Sequence, residues 1–253
     1  MSNQTLSRII AHRGGRRWAP ENTMAGFRKS IEAGLDGIEL DIHRCSTGEL
    51  VVIHDEDVQR TTNGVGLVKD ISFPELQRLS AGLWFGKEFG EERIPLLKDV
   101  LDLVAGQCVL NIEIKNTPID YPGIDDDLID LLSDYPDRDK LIISSFDHKI
   151  VRLMHSKVPD LSFALLADAL FIDVADYARR IGATVWHPSF GSLREEAVAE
   201  AQAAGMLVNA WTVNTTREWS MAISMGLDGI ITDDPEGLRV FLEKVSAARA
   251  ATS

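Results

Sequence analysis

Four short stretches hold the residues best able to do proton and anion chemistry: His12-Arg13-Gly14-Gly15, Glu39-x-Asp41, His54-Asp55 and Glu113-x-Lys115. Alternate residues of a strand face the same way, so Glu39 and Asp41 share one face while Ile38, Leu40 and Ile42 share the other. The same parity sets Asn111, Glu113 and Lys115 against Leu110, Ile112 and Ile114. If the apolar faces cover themselves with helices, three carboxylates meet at neighbouring strand ends, where they repel unless neutralised. A salt bridge to Arg13 or Lys115 would satisfy one acid. Three acids on matched strand ends call for a bound hard cation, and oxygen ligands without a thiolate suit Mg²⁺ or Ca²⁺. Glu39, Asp41 and Glu113 are therefore the candidate metal ligands.

The histidines divide into two groups. His12 closes the first strand, and the Arg13-Gly14-Gly15 that follows offers a fixed cation beside backbone that an anion can approach closely. The segment from Ile38 to Asp55 reads as a strand, a turn centred on Thr47-Gly48, and a returning strand that brings position 54 opposite position 41. Two imidazoles beside a metal-bound anion suit general acid and base duty, because they titrate near neutrality. His43 shares the parity of Asp41 but falls in the hairpin. His187 ends a strand before Pro188 and could line the mouth, while His148 and His155 read as helix-surface residues. None of these four is assigned chemistry. Trp211 ends a strand with Asn209 on its face and Asn214 just beyond. It is either barrel filling, a lid, or an apolar wall for a substrate, and Trp84 and Phe85 could cover the same pocket.

Positioning these groups falls to a repeating scaffold. Apolar strand-like runs at 8–12, 36–42, 108–114, 140–145, 161–165, 183–187, 206–211 and 228–232 alternate with stretches of helical periodicity. Phe27, Ile31 and Leu35 mark one helix face, and Ile150, Leu153, Met154 and Lys157 another. Eight such alternations predict a closed (β/α)8 TIM barrel, whose active residues sit at the C-terminal ends of the strands. Gly34, Gly182, Gly205 and Gly226 stand where a left-handed residue ends a helix before a strand. Thr215-x-x-Glu218 and Ser72-x-x-Glu75 are capping boxes. Gly34-Leu35-Asp36-Gly37-Ile38 returns as Gly226-Leu227-Asp228-Gly229-Ile230, as two similar helix-to-strand turns would require. Residues 56–105 break the rhythm and read as a small insertion after the second strand region, ending in a barrel helix from about Leu96. With no linker elsewhere, residues 1–253 read as a single barrel domain, its Ala-rich tail after Val245 fraying from a last helix.

The bulk properties exclude several partners. A net charge of -13 argues against a nucleic-acid surface and against stable association with an anionic membrane, while leaving room for a small basic phosphate pocket. Cys45 and Cys108 are the only cysteines and lie far apart, which disfavours a zinc site or a disulfide framework and fits the cytoplasm. The polar stretch from Met1 to Ser7 has no apolar signal core.

Eight motifs in order, His12-Arg13-Gly14, Pro20-Glu21-Asn22-Thr23, Glu39-x-Asp41, His54-Asp55, Arg60-Thr61-Thr62-x-Gly64, Glu113-x-Lys115, Trp211-Thr212-Val213-Asn214 and Thr232-Asp233-x-Pro235, resemble those of the glycerophosphodiester phosphodiesterase family. They run from position 12 to 235, and the ordered set is far more specific than any member of it. The resemblance implies a barrel with a small insertion after its second strand. It also implies a divalent cation on Glu39, Asp41 and Glu113, catalysis by His12 and His54, and phosphate contacts from Arg13 and Lys115. The activity implied is metal-dependent hydrolysis of a small glycerophosphodiester to sn-glycerol 3-phosphate and an alcohol. Related barrels that cleave lipid headgroups, and a barrel that binds such diesters without cleaving them, are the competing expectations. The first would need a lipid-docking surface and the second a missing ligand or histidine.

Overall fold

The structure, a computed structural model, describes residues 7–250. Among the described residues nine strands form one sheet: β1 (Arg8–Ala11), β2 (Gly37–Arg44), β3 (Leu50–Val52), β4 (Val109–Ile114), β5 (Leu141–Ser145), β6 (Ser162–Ala167), β7 (Val185–Pro188), β8 (Leu207–Ala210) and β9 (Gly229–Thr232). Eight of them pair in parallel around a ring that closes where β1 meets both β9 and β2, and β3 folds back antiparallel on β2. The helices are α1 (Met24–Glu32), α2 (Phe73–Leu76), α3 (Leu97–Val104), α4 (Ile124–Leu132), α5 (His148–Lys157), α6 (Val174–Ile181), α7 (Glu195–Ala203), α8 (Thr216–Ser224) and α9 (Pro235–Ala250). The expected TIM barrel is formed. The last helix continues through the Ala-rich segment to Ala250 rather than fraying after Val245, and residues 251–253 and Met1–Leu6 lie outside the described ones.

The main core lies between barrel and helices. Ile38, Leu40, Ile42, Leu110, Ile112 and Ile114 all join it, which turns Glu39, Asp41 and Glu113 into the barrel as parity requires. The insertion builds a separate apolar cluster around Val51, Ile53, Val58, Val68, Leu76 and Ile94, and α3 then rejoins the barrel.

The repeated Gly-Leu-Asp-Gly-Ile turn has a physical reason. Asp36 accepts a hydrogen bond from the Ile9 N–H at 2.8 Å, and Asp228 accepts one from the Val208 N–H at 2.9 Å. Each aspartate thus ties the start of its strand to the strand beside it. The glycines that begin these turns, Gly34 and Gly226, hold φ of +63° and +72°, where any side chain would be strained. Both capping boxes form, with Glu218 accepting from the Thr215 N–H and Glu75 from the Ser72 N–H.

Two helix faces differ from expectation. Leu153 is exposed, and the Lys157 ammonium leaves the α5 face to bridge Asp125 and Asp126. His148 and His155 are half-buried rather than on the surface. His148 bonds the Tyr177 hydroxyl and the Leu166 carbonyl, and His155 lies edge-on to Phe163. His148 satisfies both ring nitrogens in the seam between α5 and its neighbours, whereas the His155 ring is held by packing and its buried Nδ1 has no hydrogen-bond partner.

Candidate active site

One pocket at the C-terminal mouth of the barrel is lined by His12, Arg13, Glu39, His54, Glu113, Lys115 and Trp211, and Asp41 stands buried beside it. All eight sequence-predicted site residues therefore converge. Ligand oxygens of Glu39, Asp41 and Glu113 come within 4.8 Å of one another.

The turn after β1 shapes the first part of the site. Arg13, Gly14 and Gly15 take φ of +50°, +80° and +90° in succession, and the left-handed arginine is a strained conformation of the kind stored at functional sites. The turn aims the Arg13 N–H at Glu39 Oε2, 2.8 Å away. Glu21 holds the Arg13 guanidinium at 2.7 Å and also binds Arg16 and Arg60. Burial alone would raise the Glu21 carboxyl; the arginines overcome it and hold the group at about 2.

Each histidine is paired with its own carboxylate. His12 Nδ1 lies 2.6 Å from Asp233 Oδ1, and His54 Nδ1 lies 2.6 Å from Asp55 Oδ1. The carboxylates fix both rings with a proton on Nδ1, which leaves Nε2 as the unprotonated nitrogen of each neutral ring. His54 Nε2 indeed meets the Lys115 ammonium at 3.2 Å, so it acts as an acceptor. Burial lowers the pKa of both histidines, with the nearby carboxylates opposing it only in part.

The hairpin turns at Thr47-Gly48 as expected, but its register differs by one residue. Asp41 lies opposite Ile53, whose N–H donates to the Asp41 carbonyl, and His54 comes just after the ladder ends. That freedom from strand pairing lets the His54 ring swing over the mouth. His43, in the hairpin, is buried between the Tyr121 hydroxyl and the His54 carbonyl, and so braces the His54 backbone.

The acids carry more negative charge than their neighbours offset. Lys115 bonds Glu113 at 2.8 Å and lies 3.7 Å from Asp41, and the Arg13 Nε lies 3.4 Å from Asp41. Two cations thus face three carboxylates. Burial first, then mutual repulsion, pushes Glu39 well above the usual carboxylate range and Glu113 to about 7. For Asp41 burial acts in the same direction, but Arg13 and Lys115 outweigh it and hold the group low. One buried Asp41 oxygen, Oδ1, has no hydrogen-bond partner. A charge-deficient cluster of hard oxygen donors with a free buried oxygen fits a divalent cation.

Several residues in the motifs have positions that sequence reasoning left without a role. Asp233 and Asp55 orient the histidines, Asn22 donates to Asp41 Oδ2 at 2.9 Å, and Arg60 links Glu21 to Asp55. The signal for Asp233 was barrel closure, since Thr232 pairs with Ala11 and sets the next residues of each strand side by side. Trp84 and Phe85 do not line the pocket. Trp84 bonds its own loop at Ala81 and packs edge-on to Phe85, while Phe146 takes the expected place beside Trp211.

His187 lines the pocket from β7 and is fully buried. Burial, with Arg8, lowers its pKa from 6.5 to about 3. The unfolded chain therefore takes up this proton first, and the contribution to stability is complete above about pH 6.5 and declines as pH falls toward 3. Thermal melts should show Tm falling through this window, and falling less steeply in His187→Gln. Parallel slopes would contradict the assignment.

A family model, the glycerophosphoryl diester phosphodiesterase family, matches residues 12–237. The chain is 42% identical to a glycerophosphodiester phosphodiesterase of Caldanaerobacter subterraneus subsp. tengcongensis, over 91% of this chain and 95% of the relative. It is 37% identical to one of Bacillus altitudinis, over 91% and 96%. An Oleispira antarctica phosphodiesterase, solved in complex with the product sn-glycerol-3-phosphate, superposes with a TM-score of 0.87 at 26% identity, covering 94% of this chain and 97% of that one. With the barrel, the paired histidines and the buried acids in place, these likenesses mean that the chain belongs to the glycerophosphoryl diester phosphodiesterase family and is, with it, a hydrolytic enzyme.

Proposed function

We propose that the enzyme hydrolyses glycerophosphodiesters to sn-glycerol 3-phosphate and an alcohol, using a divalent cation, Mg²⁺ or Ca²⁺, held by Glu39, Asp41 and Glu113. The observation that carries this reading is the presence of two histidine–carboxylate pairs at one pocket beside three buried acids. When bound, the cation would neutralise a non-bridging phosphate oxygen and lower the pKa of a nearby hydroxyl.

The remaining work belongs to the chain. Arg13, fixed by Glu21, and Lys115 would offset the charge that grows on the phosphoryl oxygens. One histidine takes a proton through Nε2 from the attacking oxygen, and the other gives one to the departing alkoxide. Asp233 and Asp55 hold the two rings in the tautomer this requires. Trp211, with its indole N–H on the His187 carbonyl and its ring edge-on to Phe146, forms an apolar wall for the substrate.

We place the reaction in the cytoplasm, since both cysteines are free and buried, as in a reducing compartment. Among the described residues no helix is long and apolar enough to cross a membrane. The test is product identity from glycerophosphocholine, read by phosphorus NMR in the presence of Mg²⁺ or Ca²⁺. Release of sn-glycerol 3-phosphate is expected. Phosphocholine as the product, or no cleavage with either metal, would sink the reading.

A further inference from the structure

The two histidine–carboxylate pairs are joined by one network of ion pairs. The buried Glu21 carboxylate binds Arg13 at 2.7 Å, Arg16 at 3.0 Å and Arg60 at 2.8 Å. Arg60 reaches on to Asp55, at 2.6 Å from Nε and 3.1 Å from Nη2, and Asp55 holds His54. Arg16 reaches on to Asp233 at 3.5 Å, and Asp233 holds His12. Three arginines thus meet three carboxylates in a chain that runs from one histidine to the other. Glu21 and Arg60 do not line the pocket themselves.

The His54 branch depends most on this network. β3 ends at Val52 and the last backbone bond of the hairpin is made by Ile53, which leaves residue 54 to side chains. His43 holds its carbonyl and Asp55 its ring. The Asp55 side chain is itself 25% exposed and would turn freely unless fixed. The planar Arg60 guanidinium fixes it, using all three nitrogens to engage both oxygens of Asp55 and both of Glu21. A lysine ammonium, a single point charge, cannot reproduce that double fork. With the Arg60 side chain 42% exposed, solvent screens these pairs and their worth to stability is small. The insertion that carries Arg60 is held independently by its own apolar cluster and by Glu92, which accepts from the Ala25 N–H at 3.1 Å. Geometry is what the clamp contributes.

We propose that Arg60, anchored by Glu21, is a positioning residue that keeps Asp55 aligned on His54, so that one buried carboxylate sets both this ring and Arg13. The proposal rests on the reading above, in which His54 works in glycerophosphodiester hydrolysis.

Arg60→Ala should lower kcat on glycerophosphocholine about tenfold, with little change in KM. Millimolar guanidinium chloride should recover much of the loss, whereas methylammonium chloride and Arg60→Lys should not. Arg60→Ala added to Asp55→Asn should lower kcat no further than Asp55→Asn alone, and guanidinium should then have no effect. Glu21→Gln, which frees Arg13 as well, should raise KM in addition to lowering kcat; Arg60→Ala decides the matter if this buried variant fails to fold. The His54 Nδ1 proton, assigned by its loss in His54→Ala, gives a readout that needs no turnover. Its downfield NMR resonance should vanish in Arg60→Ala and return with guanidinium. Wild-type kcat or an unchanged resonance in Arg60→Ala, full recovery in Arg60→Lys, or losses that multiply in the double variant would overturn the clamp. If the wild type releases no sn-glycerol 3-phosphate while the resonance behaves as described, the clamp stands and only the catalytic reading falls.

Discussion

His12→Ala and His54→Ala should each lower turnover by about 10²-fold or more, while a divalent cation still binds. Neither ring is among the three carboxylates whose oxygens converge, so removing it leaves that cluster whole. What is lost is an Nε2 at the pocket, in a ring whose other nitrogen is held at 2.6 Å by its own carboxylate. The carboxylates provide a finer version of the same test. In Asp55→Asn or Asp233→Asn, the amide can turn its NH₂ toward Nδ1, which favours the tautomer with the proton on Nε2. The ring stays in place but presents the wrong hydrogen. These variants should lose about tenfold or more in kcat with little change in KM. Initial rates with glycerophosphocholine check both sets, and near-normal kcat in the histidine variants would remove the proposed acid–base roles.

Glu113→Gln should weaken divalent-cation binding by about 10²-fold or more and carry turnover down with it. The effect is expected to be large because the cluster is already short of positive charge. Lys115 and Arg13 are the cations beside the three acids, and both Glu39 and Glu113 are driven toward protonation by burial and repulsion. Removing one carboxylate relieves that repulsion and lets Lys115 and Arg13 balance the remaining two. The variant should therefore be at least as stable to heat as the wild type without metal, although it is far less active. Isothermal titration with Mg²⁺ and Ca²⁺, beside a thermal melt, separates a lost ligand from a damaged fold. Wild-type affinity in Glu113→Gln would remove this residue from the metal site.

Much of this site was legible because strand parity is strict. Once Ile38, Leu40 and Ile42 face the helices, Glu39 and Asp41 have only the barrel interior left to them. The same rule set Glu113 beside them, and glycines with positive φ marked the turns between repeats. Pairing register was less legible. The Thr47-Gly48 turn was evident, but whether position 53 or 54 opposes Asp41 depends on backbone hydrogen bonds that no side chain advertises. Asp233 joins His12 across more than two hundred residues, and only closure of the ring brings them together. His148 and His155 carry polar atoms that suggest a surface, yet His148 bonds the Leu166 carbonyl and the His155 ring packs on Phe163, both on β6 between helix and barrel. Trp84 and Phe85 pack within the insertion, a segment whose irregular turns give no period to read.

Metal dependence of the reaction tests the central claim most directly. Protein stripped with EDTA and assayed for sn-glycerol 3-phosphate released from glycerophosphocholine should be inactive, and added Mg²⁺ or Ca²⁺ should restore turnover. Full activity in EDTA, or no activity with either cation, would contradict the account.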